Sequence, residues 1–222
     1  MGQWIPLDTD AGPVRAWLAQ PDAPARGAVI VLQEIFGVNA HIRAVARRFA
    51  DAGLVALAPA LFDPVQPDAE LHYDEAGFAR GREYAAALGF ERALDIVAAA
   101  AHRLRESGHA PGVVGFCWGG SVAFLANTRL QLPAVSYYGA RTVPFLDEAL
   151  QAPMLFHFGG TDPSIPPDDI DRHRTLQPGA QLHVYAAAGH GFNRDVDPRH
   201  HHPESAALAW RRTLDFLAEH TS

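Results

Sequence analysis

The only cysteine of this 222-residue chain, Cys117, stands two residues after Gly115 and two before Gly119, at the end of the apolar run Val113-Val114-Gly115-Phe116. That spacing marks a strand turning sharply into a helix with a nucleophile at the corner. The corner residue is forced into a strained backbone conformation, and side chains two positions to either side would collide unless they are hydrogen atoms. A buried structural thiol is the bland alternative. The apolar strand before Cys117 and the small residues after it (Gly119, Gly120, Ser121, Ala123) favour the corner. A thiol nucleophile needs a base to take its proton and a group to orient that base. After such a corner the partners follow in the order acid, then histidine. Asp162, 45 residues after Cys117 (162 − 117), and His190, 28 residues further (190 − 162), come in that order, each just past a strand-like run. Taken singly, Asp162 before Pro163 could start a turn, and His190 is one of 12 histidines. Their joint placement offers Cys117, Asp162 and His190 as a catalytic triad. An oxyanion would be met by the backbone N–H of Trp118, directly after the nucleophile, and that of Ile35, on the loop after an earlier strand. The helix beginning near Trp118 points the positive end of its dipole at Cys117 and favours the thiolate.

The elements that must hold these residues follow from hydrophobic periodicity. Two short strands are expected over residues 6–18 around the turn Asp10-Ala11-Gly12-Pro13, then buried strands at 27–32, 54–58, the run before Cys117, 134–138 and 154–158, and a last strand at 181–186. Helices are expected from an Asn39 cap through Ala50, over 75–105 with a break near Gly89, from the corner to about Arg129, near 167–175 and over 204–219. Strands alternating with helices predict an α/β fold with a mostly parallel central sheet and helices on both faces, as a single domain over residues 1–222. Ligands bind such sheets at the carboxyl ends of the strands. Glu34 falls at one such end and Arg194 lies four residues after His190; an exposed strand terminus and an ordinary surface arginine are the plain alternatives.

Composition narrows the class. Hydrophobic residues make up 48% and charged residues 19%, enough for a sizeable core. The net charge of −7 and the dispersed basic residues disfavour nucleic acid or an anionic membrane surface as partner. All 18 basic residues are arginine, so Schiff-base chemistry on a lysine is excluded. A single cysteine leaves no intramolecular disulfide to form. The amino-terminal residues lack the apolar core of a signal peptide, and no run reaches membrane-spanning length. A soluble cytoplasmic protein, monomer or homodimer, is the expectation. His200-His201-His202 is read as a solvated loop rather than a metal site, because adjacent side chains point apart and no further ligand completes a set.

Five segments, Gln33-Glu34-Ile35-Phe36-Gly37-Val38-Asn39, Gly115-Phe116-Cys117-Trp118-Gly119-Gly120, Tyr137-Tyr138-Gly139, Gly159-Gly160-Thr161-Asp162 and Gly189-His190-Gly191-Phe192-Asn193-Arg194, together resemble the dienelactone hydrolase family, cysteine members of the α/β-hydrolase fold. The resemblance implies cofactor-free hydrolysis of the enol-lactone ring of dienelactone to maleylacetate, with Cys117 as nucleophile, His190 as base then acid, and Asp162 orienting it. It gives Glu34 a place near the thiol and pairs Arg194 with either Glu34 or a substrate carboxylate. A second carboxylate-binding arginine is expected before the long helix, where Arg80 and Arg82 both qualify. Tyr138, Phe36 and Trp118 are candidates for the pocket wall, with core packing as their alternative. A thiol that Glu34 ionises only when an anionic substrate draws Arg194 away would be guarded against oxidation. The leading expectation is therefore hydrolysis of a small lactone or ester through an acyl-cysteine. A broad esterase or thioesterase with side activity on organophosphate triesters is the alternative, and a non-catalytic thiol-based binding or sensing module is a reading from another class.

Overall fold

The computed structural model describes residues 2–221. Its strands are β1 (Gly2–Leu7), β2 (Val14–Ala19), β3 (Ala28–Leu32), β4 (Val55–Pro59), β5 (Pro111–Phe116), β6 (Ala134–Tyr137), β7 (Met154–Gly159) and β8 (Gln181–Tyr185). They form one sheet in the order β1-β2-β4-β3-β5-β6-β7-β8. β1, β2 and β4 run antiparallel to their neighbours at that end, and every pair from β4 through β8 is parallel. Parallel neighbours require crossovers. These are supplied by α1 (Ala40–Asp51), α2 (Glu75–Glu106), α3 (Trp118–Leu130) and α4 (Pro167–Leu176), with a 3-10 turn at Val143–Phe145 between β6 and β7, and α5 (Pro203–His220) ends the fold.

Every residue of β3, β4, β5, β6 and β7 is buried. Their unbroken apolar runs are what a sheet covered on both faces demands, whereas the edge strands β1 and β8 carry exposed residues. α1 meets α5 through Phe49 and Trp210, whose ring centroids lie 4.4 Å apart, and α2 meets α3 through Phe90 and Trp118 at 6.0 Å. Asn39 caps α1 by accepting from the Ile42 N–H at 3.1 Å. The expected elements are all present, with ends shifted by a residue or two except at β1. That strand begins at Gly2 rather than Pro6, because an edge strand tolerates a proline within its paired length.

Two glycines shape the route to the strand ends. Gly89, at φ 74° and ψ 169°, breaks α2 into two pieces, as expected from the sequence. Gly115 lets α3 settle on β5: a Cβ there would overlap the Gly119 carbonyl. Replacing Gly115 by Ala is expected to cost about 3 kcal/mol through that overlap. Gly179→Ala, exposed, with a Cβ that would meet nothing within 4 Å and no positive φ, should change stability by less than about 0.5 kcal/mol. Urea denaturation of both variants checks the contrast, and equal losses would contradict it.

Candidate active site

Cys117 is the residue at the β5–α3 corner, with φ 55° and ψ −117°. Only a surrounding structure that over-determines such a conformation keeps a non-glycine residue there. The restraint is visible: the Cys117 N–H donates to the Tyr137 carbonyl at 2.9 Å, and the Cys117 carbonyl accepts from the N–H groups of Gly120 and Ser121 at 3.0 and 3.3 Å. The thiol is left partly exposed at the carboxyl end of the sheet.

The loops after β7 and β8 bring the other two members. They are stitched together by the Gly160 N–H on the Tyr185 carbonyl at 2.8 Å and by the Thr161 N–H and hydroxyl, both donating to the Ala188 carbonyl. His190 then faces two ways, with Nδ1 2.7 Å from Asp162 Oδ2 and Nε2 3.2 Å from Cys117 Sγ. Asp162 starts a turn and also faces the imidazole. Its Oδ1 accepts from the Ser164 N–H at 2.8 Å in a turn, leaving Oδ2 for the imidazole. Burial disfavours a charged His190, but the nearby Cys117 sulfur and the hydrogen-bonded Asp162 carboxylate outweigh it and push its pKa up to about 10. A proton taken from the thiol would therefore be held firmly on the imidazole.

Glu34 follows β3 and is fully buried. Both its oxygens are taken by Arg194, from Nη2 at 2.8 Å and Nε at 3.1 Å. Arg194 also reaches Asp197 Oδ2 at 3.4 Å and lies over the rings of Tyr73 (4.5 Å) and Phe36 (5.3 Å). Of the two partners that the resemblance leaves open for Arg194, the structure shows Glu34. Burial raises the Glu34 pKa, yet the Arg194 guanidinium more than offsets it and holds the carboxyl below its usual range. Asp197 is the hub of the adjoining loop, accepting from Arg199 at 3.1 Å and His200 at 2.8 Å.

Two cavities meet at Cys117 and His190, one of about 790 Å³ and one of about 260 Å³. Ile35 and Phe78 border both. Trp118 is the first residue of α3, where a backbone N–H has no intrahelical acceptor, and it lines the larger cavity beside Ile35. The structure separates the two arginine candidates: Arg82 lines the larger cavity, whereas Arg80 lines neither and pairs with Glu83 at 2.9 Å. Phe36 borders the smaller cavity. Tyr138 is a correction: it is fully buried, packs against His190 at 5.1 Å between centroids, and walls neither cavity. Sequence reasoning missed Tyr73, Asp197, Arg199 and Arg141, all near the site through contacts between distant segments or on loops without periodicity. The three consecutive histidines diverge, His200 to Asp197 and His202 to the start of α5, where it accepts from the Ser205 N–H at 3.3 Å.

A mostly parallel sheet with a strained residue at a strand-to-helix corner and a histidine–acid pair on the following loops defines an α/β-hydrolase. The sequence profile of the dienelactone hydrolase family matches residues 14–221, and the chain belongs to that family. It is 35% identical to a proposed carboxymethylenebutenolidase of Yersinia pestis, over 97% of this chain and 86% of that one. It is 32% identical to the carboxymethylenebutenolidase of Pseudomonas putida, over 91% and 90%. A crystal structure of a proposed dienelactone hydrolase from Klebsiella pneumoniae superposes with a TM-score of 0.88 at 30% identity, covering 99% of both chains. Among the described residues no helix is long and apolar enough to cross a membrane.

The Glu34–Arg194 pair makes a prediction about stability. Glu34→Gln leaves Arg194 buried without that carboxylate and should destabilise the fold by about 3 kcal/mol or more. Because the folded carboxyl is held below its ordinary value of 4.5, its stabilisation is fully present above that pH and lost as pH falls. The stability gap between wild type and Glu34→Gln should be constant near neutrality and shrink below pH ~4.5, as measured by denaturant titration at several pH values. A gap that widens in acid would refute this account.

Proposed function

We propose that this hydrolase cleaves small lactones or carboxylic esters through an acyl-cysteine intermediate. The observation that carries the reading is the continuous hydrogen-bonded line from Cys117 Sγ through His190 to Asp162, opening into the two cavities. Cys117 Sγ attacks the carbonyl carbon as His190 Nε2 takes the thiol proton. The negative charge that forms on the carbonyl oxygen is met by the backbone N–H groups of Trp118 and Ile35. Collapse breaks the acyl–oxygen bond, and the leaving oxygen collects the proton from His190. For a lactone this opens the ring and the leaving group stays tethered to the acyl chain. Water then attacks the thioester with His190 again as base, releasing the acid and restoring the thiol. Asp162 keeps Nδ1 protonated and turned toward it, so that Nε2 faces the sulfur. Both oxygens of Glu34 are engaged by Arg194. In the arrangement described, His190 is the base in contact with Cys117.

Steady-state hydrolysis of cis- and trans-dienelactone beside a neutral 4-nitrophenyl ester tests the reading. Turnover of at least one class of substrate, lost in Cys117→Ala and reduced about 100-fold or more in Asp162→Asn, is the expected result. A strong preference for the lactones assigns the substrate, and turnover of the ester alone makes the protein a broad esterase. Full activity in Cys117→Ala, or none in wild type, overturns the proposal.

A further inference from the structure

A histidine of β7 that takes no part in the acyl-cysteine chemistry sits at the centre of a buried polar run. His157 is fully buried, with Nε2 3.1 Å from Thr213 Oγ1 on α5 and Nδ1 2.9 Å from the Tyr185 hydroxyl on β8. Thr213 Oγ1 also lies 2.6 Å from the Tyr137 hydroxyl on β6, and Arg212 on α5 donates to the Tyr185 hydroxyl at 3.2 Å. Counting protons sets the direction of these bonds. The Tyr137 hydroxyl has no second partner among the described residues, so it donates to Thr213 rather than leave its hydrogen buried and unpaired. Thr213 then donates to His157 Nε2, and the His157 proton sits on Nδ1, facing Tyr185. Besides these hydroxyls, the imidazole faces His183 of β8, 6.0 Å away between ring centroids, and Arg212 of α5. Burial first, then these two cations-in-waiting, hold its pKa well below the usual histidine range and keep it neutral. The same three strand residues also anchor the main chain of the triad. The Tyr137 carbonyl accepts from the Cys117 N–H at 2.9 Å, and the His157 carbonyl from the Tyr138 N–H at 2.8 Å. The Tyr185 carbonyl accepts from the N–H groups of Gly160 and Ala188 at 2.8 and 3.0 Å, on the loops that carry Asp162 and His190. Phe192, two residues past His190, packs on the rings of Tyr185 and Tyr137, 5.1 and 6.1 Å between centroids.

We infer that His157 is a positioning residue of the triad: its imidazole, protonated on Nδ1, ties β6, β7 and β8 to α5 and thereby holds Cys117, Asp162 and His190 in register. It acts through its neighbours and touches neither substrate nor reacting atoms. His157, Thr213, Tyr137 and Tyr185 line neither cavity, so their loss bears on the chemical step and leaves substrate binding alone. A displacement of about 1 Å between reacting groups can lower a rate about 100-fold. His190 is open to such a displacement because its loop is seated by main-chain bonds and by Phe192 rather than by a helix or strand of its own. Removing the imidazole strips the buried Thr213 hydroxyl of its acceptor, a cost that shifting the strands would relieve. The inference rests on the hydrolase reading above.

The test follows hydrolysis of 4-nitrophenyl acetate in three variants. Thr213→Val, nearly equal in shape, cuts His157 from Tyr137 and should lower kcat at least tenfold with KM within twofold. Thr213→Ser restores the hydroxyl and should recover kcat to within threefold of wild type. His157→Phe should lose at least as much as Thr213→Val; if it does not fold, the Thr213 pair decides. A readout independent of turnover is alkylation of Cys117 by iodoacetamide at neutral pH, with denaturant titration showing each variant folded. A merely loosened fold exposes the thiol and speeds alkylation, whereas a displaced His190 takes the thiol proton less well and slows it. Thr213→Val is expected to slow it at least threefold. Unchanged kcat and alkylation in Thr213→Val, an equal loss in Thr213→Ser, or faster alkylation would overturn the assignment. If wild type hydrolyses no ester the hydrolase reading fails, and the alkylation rates still decide whether the His157 network seats His190.

Discussion

Backbone contact beneath Cys117 is the constraint on which the rest of the site depends. A Cβ at Gly115 would overlap the Gly119 carbonyl, one at Gly119 would overlap the carbonyl of Gln33, and one at Gly120 would press on the Tyr137 carbonyl and Ser136 Oγ. The first turn of α3 therefore rests on the ends of β3, β5 and β6 with no side chain between. That closeness holds Cys117 at φ 55°, presents its sulfur at the carboxyl end of the sheet, and puts the start of α3 beside the loop carrying Ile35. The strain at one residue, of order 1–3 kcal/mol, is offset by hydrogen bonds from the Cys117 N–H and carbonyl to β6 and α3.

Around this corner the structure buries charge only where it is answered. Glu34 is met on both oxygens by Arg194, and Asp162 divides its oxygens between a turn N–H and the imidazole. Asp197 gathers Arg194, Arg199 and His200. A buried ion pair adds little net stability over a well-packed apolar alternative, while one half left alone is costly. The pair thus acts as a registration device: it joins the loop after β3 to the loop after β8 across 160 residues of chain. Tyr73, under the Arg194 guanidinium and hydrogen-bonded to Asn39 at 3.0 Å, brings in the segment before α2.

That Cys117, Asp162 and His190 come together was legible in the sequence because strand ends and a glycine-flanked corner have fixed spacing. β3 to β7 are continuous apolar runs, so the loops that follow them could be placed and searched for an acid and a histidine. The aromatic candidates were harder. Phe36 borders a cavity and Tyr138 does not, and the difference lies in Tyr138 turning behind His190 among Phe116 and Phe192. For α2 a usable signal was present. Phe78, Arg82, Ala85, Ala86 and Gly89 are spaced as one helical face and line the larger cavity together. Arg80, two residues from Arg82, is turned about 200° away on the same helix at 100° per residue.

Arg141 and the Asp197 loop had no such signal, since a turn has no period and pairs 126 or 160 residues apart leave no local trace. This divides the protein along physical lines. The proposed reacting groups sit where the sheet itself fixes them, on the corner and on two loops tied to each other by main-chain bonds. Much of the larger cavity's wall comes instead from a glycine-kinked helix and a short turn that lie outside the corner. A guanidinium in such a turn costs the fold little, because its backbone is held by Ser121 and its side chain is exposed. The same residue lines the larger cavity beside Cys117, whose walls carry no carboxylate. The larger cavity's outer wall and the corner that holds Cys117 are thus built by different elements of the fold.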